Sequence, residues 1–167
     1  MSTSKILISL FKYKSWANEE IYAALKKLNA DQHTNERHSA LRILNHIYVV
    51  DCIFKANLQN IKHQFTATNT PETPTLEQLS AAVKETDDWY IKYVFELDEN
   101  ALQELLEFTF VDGDSGKMTR EEMLLHIITH GGYHRGAVGR IMAQLSIAPP
   151  RDIFTKFLHD SEPARRM

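Results

Sequence analysis

His130 and His134 stand four residues apart in a segment that reads as a long amphipathic helix. Imidazoles at that spacing can offer two nitrogens to one metal ion. His126 precedes them by another step of four. Each such step advances about 40° beyond a full helical turn, so the three rings share a face. They cannot all serve one ion: at 1.5 Å of rise per residue, His126 and His134 lie about 12 Å apart along the axis. Zinc–nitrogen bonds are only about 2.0–2.1 Å long. A third ligand must come from another element. His46 is the natural candidate, because it lies on the apolar stripe of an earlier helix, three residues after Ile43 and four before Val50. His33, His38, His63 and His159 fall in loops or near helix ends and read as solvated polar residues. The competing reading of the trio is a set of hydrogen-bonded core histidines. Burying His130 and His134 without metal would need partners for up to four ring nitrogens, and spacing alone leaves both readings open. A zinc-protease motif is disfavoured, since Gly131 occupies the position where HExxH requires its Glu base.

The elements that must position these rings follow from hydrophobic periodicity. Leu7, Leu10, Ala17, Ile21, Ala24 and Leu28 recur at three- and four-residue steps and predict a first helix over about Ser4–Asn29. A second runs from about Asn35 to Gln64, with Ile43, Ile47, Val50, Phe54 and Ile61 on one stripe. The polar stretch Thr66–Thr75, with two prolines, reads as a loop. Thr75 and Gln78 have the spacing of a capping box that opens a third helix reaching Leu97, with Leu76, Leu79, Val83, Tyr90, Val94 and Leu97 along its seam. Phe108–Val111 favours strand and Asp112–Gly116 is a turn cluster, which predicts a β-hairpin over Leu105–Met118. Thr119 and Glu122 form a second capping box before the histidine helix, whose buried seam is read as Met123, Ile127, Ala137, Ile141 and Leu145. Pro149-Pro150 ends that helix, and a short one follows over Arg151–His159. Gly131, Gly132, Gly136 and Gly139 all fall inside the histidine helix, each at a cost of roughly 0.5–1 kcal/mol relative to alanine, which implies that a neighbouring helix or a ligand approaches closely. The fold class expected is all-α, an up-down four-helix bundle in a single domain over residues 1–167, with the hairpin before the last long helix.

Composition narrows the function classes. With 43% hydrophobic and 25% charged residues the chain is typical of globular domains. Its formal net charge of -3, with Arg165-Arg166 as the densest basic cluster, argues against nucleic acid as a partner. No apolar run approaches the ~20 residues of a membrane span, and Lys12 and Lys14 interrupt the run Ile6–Phe11 too early for a secretory signal. A single cysteine, Cys52, forbids an internal disulfide and fits a reducing cytoplasm.

The segment from His126 to Gln144, with its element His130-x-x-x-His134-Arg135-Gly136, resembles the C-terminal signature of the DinB/YfiT superfamily of DinB-like proteins. Pro149-Pro150-Arg151-Asp152, with Asp152 opening a final helix, is similar to its sequel. Tyr13, Trp16, Ala17 and Asn18 resemble the family's Y-x-x-W-A-N element, and Asn45-His46-Ile47 its helix-two element. The resemblance spans most of the chain in the right order. It implies a four-helix bundle, often a homodimer, with a metal site carried over by position to His46, His130 and His134. The metal would be zinc, or nickel. The resemblance also implies a transferase that uses a low-molecular-weight thiol (mycothiol, bacillithiol or glutathione), or a thiol-dependent isomerase, and it carries a link to damage induction.

Three protein ligands leave a coordination position open, as in catalytic rather than structural zinc sites. A thiol placed there would lose its proton and attack a small electrophile. A hydrolase using bound water, or a non-catalytic metal-stabilised dimeric bundle, are the alternative expectations. Cys52, among apolar residues, is read as an inert core thiol. Asp51 could orient a ligand histidine, but at about 140° from His46 it is better placed for a helix–helix polar contact. Arg135 should point away from the metal into a salt bridge or dimer contact. Tyr13, Trp16 and Asn18 either pack or line a pocket. Glu122 belongs to its capping box, and His126 is an alternate ligand or a hydrogen-bonding neighbour.

Overall fold

A computed structural model describes residues 3–165. Four long helices, α1 (Thr3–Lys26), α2 (Thr34–Leu58), α3 (Leu76–Glu96) and α5 (Arg120–Gln144), form the expected bundle. The one-turn helix α4 (Glu99–Leu102) and the antiparallel hairpin of β1 (Leu105–Thr109) and β2 (Ser115–Thr119) lie between α3 and α5. Helix α6 (Phe154–Ser161) and a 3-10 turn at Pro163–Arg165 follow.

The contacts fix the helix directions. Phe11 stacks on Tyr90 and Lys14 pairs with Asp87, so α1 and α3 run antiparallel. His46 meets His130 while Phe54 meets His126, so α2 and α5 are antiparallel. The Tyr90 hydroxyl donates to the Asp51 carbonyl and the Tyr93 hydroxyl to that of Leu58, so α2 and α3 run the same way. The four helices therefore run up-down-down-up rather than in the alternating up-down order expected, and the long connection between Leu58 and Leu76 permits that parallel pairing.

Both predicted capping boxes form. The Thr75 hydroxyl accepts from the Gln78 amide, Thr119 accepts from that of Glu122, and each third-position side chain returns the bond. Helix α2 stops at Leu58 rather than Gln64. Asn60 takes a positive φ of 53° and the Ile61 amide bonds back to the Ala56 carbonyl, a Schellman closure that leaves Ile61 exposed. Helix α5 also ends before its prolines: Ser146 has φ 60° and Ile147 bonds back to Met142. Its buried seam follows Met123, Ile127, Gly131, Arg135, Val138 and Met142, and Ala137 faces solvent. The hairpin turn is Phe110–Asp114, two residues earlier than the glycine-rich cluster suggests, because pairing Thr109 with Ser115 turns Leu106, Phe108 and Met118 toward the bundle. Asp98 caps the unforeseen α4 by accepting from the Ala101 amide.

The core has two apolar clusters. One is built around Leu7, Phe11, Ile53, Tyr90 and Ile127, the other around Ile21, Leu25, Leu44, Leu79 and Val138. A buried polar layer lies between them. Lys14, fully buried, donates at 2.7 Å to both Asp51 and Asp87. Asn18 bonds the other Asp87 oxygen at 2.7 Å and accepts from Arg135 at 3.1 Å. Arg135 then reaches Asp152 at 2.8 Å. Gly131 makes room for this layer, since a Cβ there would sit 3.1 Å from Arg135 Nη1 and 3.5 Å from Lys14 Cε. Gly139 similarly admits Pro149, 3.4 Å from a built Cβ. Among the described residues, no helix is long and apolar enough to cross a membrane.

Candidate metal centre

His46 reaches the α2–α5 interface from α2, and His130 and His134 reach it from one face of α5. One nitrogen of each ring lies within 4.8 Å of one from each of the others, and all three side chains are half-buried. Donors of a tetrahedral zinc ion are about 3.4 Å apart, so the rings would have to close by up to about 1.4 Å to share one ion. The ring centroids are 4.9 Å apart for His46–His130, 4.6 Å for His46–His134 and 4.5 Å for His130–His134. Among the described residues this is the one group of three or more such side chains with metal-binding geometry, and no carboxylate or thiolate belongs to it.

The protonation states suit a cation. His46 Nδ1 lies 2.7 Å from the Thr68 carbonyl, which can only accept, so Nδ1 carries the proton and Nε2 presents its lone pair. That Nε2 faces His130 Nε2 at 3.0 Å. Burial, then the neighbouring His134, His46 and His126 rings, push the His130 pKa down to about 3. Burial and His46 lower that of His134. Both rings of α5 are therefore neutral at physiological pH, the form a metal needs. His130 Nδ1 is buried without a partner. Two neutral imidazoles from α5, and a third from α2 oriented from behind by a backbone carbonyl, are a donor set that fits a divalent ion such as zinc or nickel.

The other residues singled out in the sequence take distinct places. His126 stacks between Phe54 (4.7 Å) and His130 (5.3 Å), outside the ligand group. Asp51 makes the helix–helix contact, through Lys14. Arg135 is buried and turned into the core, where its partner is Asp152. Asp152 lies outside α6, which starts at Phe154 instead of Arg151; its carboxylate is taken by Arg135 and by the Tyr13 hydroxyl. Tyr13 and Trp16 pack with Phe157, away from the histidines. Cys52 is half-buried, and burial pushes its thiol pKa up, which suits an inert side chain.

Sequence reasoning missed Lys14, Asp87 and Thr68. Lys14 and Asn18 continue the seam Leu7, Phe11, Ile21, Leu25 at three- and four-residue steps, so their burial was legible in the spacing. Thr68 acts through its backbone carbonyl, which no side-chain pattern announces.

The sequence profile of the DinB family matches residues 1–166. The chain belongs to the DinB family. Among curated proteins it is similar to Protein DinB of Bacillus subtilis (strain 168), 26% identical over 161 residues, covering 87% of this chain and 89% of that protein. The matched span contains the bundle, the hairpin and all three clustered histidines. The chain is thus a DinB family protein whose histidine cluster has the form of a divalent-metal site.

Proposed function

We propose that His46, His130 and His134 hold one divalent ion, zinc in the first instance and nickel in the second, and that the protein transfers a low-molecular-weight thiol to a small electrophile. The observation that carries this reading is a three-imidazole donor set, half open to solvent, with no fourth protein ligand in its group. When bound, the ion supplies a Lewis acid that lowers the pKa of a thiol entering from solvent. The protein's own contribution is positional. Thr68 fixes the tautomer of His46, and the burial of His130 keeps it neutral and ready to donate. In the overall reaction the sulfur forms a bond to the electrophilic carbon, the leaving group departs with its bonding pair, and the thiol proton passes to solvent. A hydrolase would need a general base beside its water. Among the described residues no carboxylate joins the cluster, and the buried Asp51 and Asp87 each pair with Lys14.

Cobalt substitution followed by titration with glutathione, bacillithiol and related thiols tests this reading. A thiolate-to-cobalt charge-transfer band is expected with at least one of them. An unchanged spectrum with every thiol, in protein loaded with cobalt, would rule out thiol transfer.

A further inference from the structure

The polar layer between the two apolar clusters does not balance its charge. Arg135 is matched by Asp152 at 2.8 Å. Lys14 faces two carboxylates, Asp51 on α2 and Asp87 on α3, each at 2.7 Å, and none of the three residues is more than 2% exposed. One negative charge is left over. A buried carboxylate without a matching cation is costly, and taking up a proton relieves that cost. We propose that the layer is a proton-binding site: Asp51 accepts one proton from solvent on Oδ1, Lys14 and Asp87 stay ionised, and the layer becomes neutral.

Hydrogen bonding decides between the two carboxylates. Both oxygens of Asp87 are occupied: Oδ1 accepts from Lys14 and Oδ2 from the Asn18 amide, each at 2.7 Å. Donors on both oxygens favour the ionised form. Asp51 accepts only on Oδ2, and its Oδ1 is buried with no partner. The Tyr90 hydroxyl donates to the backbone carbonyl of Asp51 and not to its carboxylate. The remaining groups that face Asp51 supply little compensation. Tyr22 from α1, Tyr90 from α3 and the neighbouring Cys52 are held neutral by burial. Arg135 on α5 is the other cation, and it is bonded to Asp152 and Asn18. Burial, only partly offset by Lys14, pushes the Asp51 pKa up to about 6. Burial also works against the Lys14 ammonium, but the two carboxylates outweigh it and its pKa rises, so Lys14 keeps its proton.

Proton uptake changes what ties the helices together. With Asp51 ionised, Lys14 joins α1 to both α2 and α3 through charged contacts. With Asp51 neutral, the contact to α2 is an ordinary hydrogen bond and the ion pair that remains is Lys14 with Asp87. The change takes place against α5, since Lys14 Cε lies 3.5 Å from a Cβ built at Gly131, the residue after His130. Between the ordinary value of 3.8 and about 6, the fold holds a proton that the unfolded chain does not. The stabilisation this gives is fully present below pH 3.8 and is lost as pH rises through 6.

The test is carbon-13 NMR of the full chain, labelled only at the side-chain carboxyl of aspartate and titrated from neutral pH downward. One resonance should change with a midpoint near pH 6, while exposed aspartates titrate near their ordinary pKa of about 3.9. That resonance should be missing in Asp51→Asn. It should also be missing in Asp51→Glu, which carries no label at this position and serves if the asparagine variant fails to fold. The melting temperature of the parent, relative to Asp51→Asn, should rise on acidification through pH 6. A parent spectrum in which every aspartate titrates near its ordinary pKa would overturn the proposal, whatever the variants do. So would a resonance with the high midpoint that survives Asp51→Asn or Asp51→Glu and is lost in Asp87→Asn, since the proton would then reside on Asp87.

Discussion

At the scale of single residues, the site is defined by which ring nitrogens carry protons. His46 receives its tautomer from Thr68, and His130 is held neutral by burial and by three neighbouring rings. This has a consequence for stability. In the unfolded chain His130 takes a proton near pH 6.5, whereas in the fold it does so only near pH 3. Between those values the unfolded state binds the extra proton, so this contribution to stability is fully present above pH 6.5 and is lost as pH falls toward 3. The melting temperature of metal-free protein should therefore fall more steeply on acidification below pH 6.5 than that of His130→Gln. Parallel profiles for the two proteins would contradict the neutral, buried state of His130. The spacing of the histidines revealed the pair on α5 and pointed to His46. It could not reveal Thr68, because a backbone carbonyl has no signature in sequence.

At the scale of elements, the sequence was most informative where local chemistry decides the structure. Thr75 with Gln78, and Thr119 with Glu122, start α3 and α5 through side-chain-to-backbone bonds made within one turn. Helix ends that depend on a single residue adopting positive φ were less legible. Asn60 and Ser146 terminate α2 and α5 before the apolar pattern or the prolines would. The hairpin was foreseen, but its register was not. The turn cluster Asp112–Gly116 marked the turn two residues late, because burial of Leu106, Phe108 and Met118 sets the pairing. Asp152 shows the same priority of tertiary over local signals: it looks like a helix start and instead satisfies Arg135 and Tyr13.

At the scale of the whole molecule, the bundle is organised by the charged layer between its two apolar clusters. Lys14 neutralises carboxylates from two other helices. Truncating one partner of a buried ion pair leaves an uncompensated charge and costs about 3–5 kcal/mol. Lys14→Ala should therefore lower the melting temperature by on the order of 10 °C or prevent folding. A melting temperature within a degree or two of the parent would show that the layer contributes little. The same layer passes through Gly131 and Arg135, which directly follow His130 and His134, so it also sets how α5 presents its two rings. The measurement that bears most directly on this account is metal content per chain after chelation and reloading with zinc or cobalt. About one equivalent is predicted for the parent and for His126→Ala, and no stoichiometric metal for His130→Ala, with strong losses for His46→Ala and His134→Ala. A full equivalent retained by His130→Ala, or none taken up by the folded parent, would contradict it.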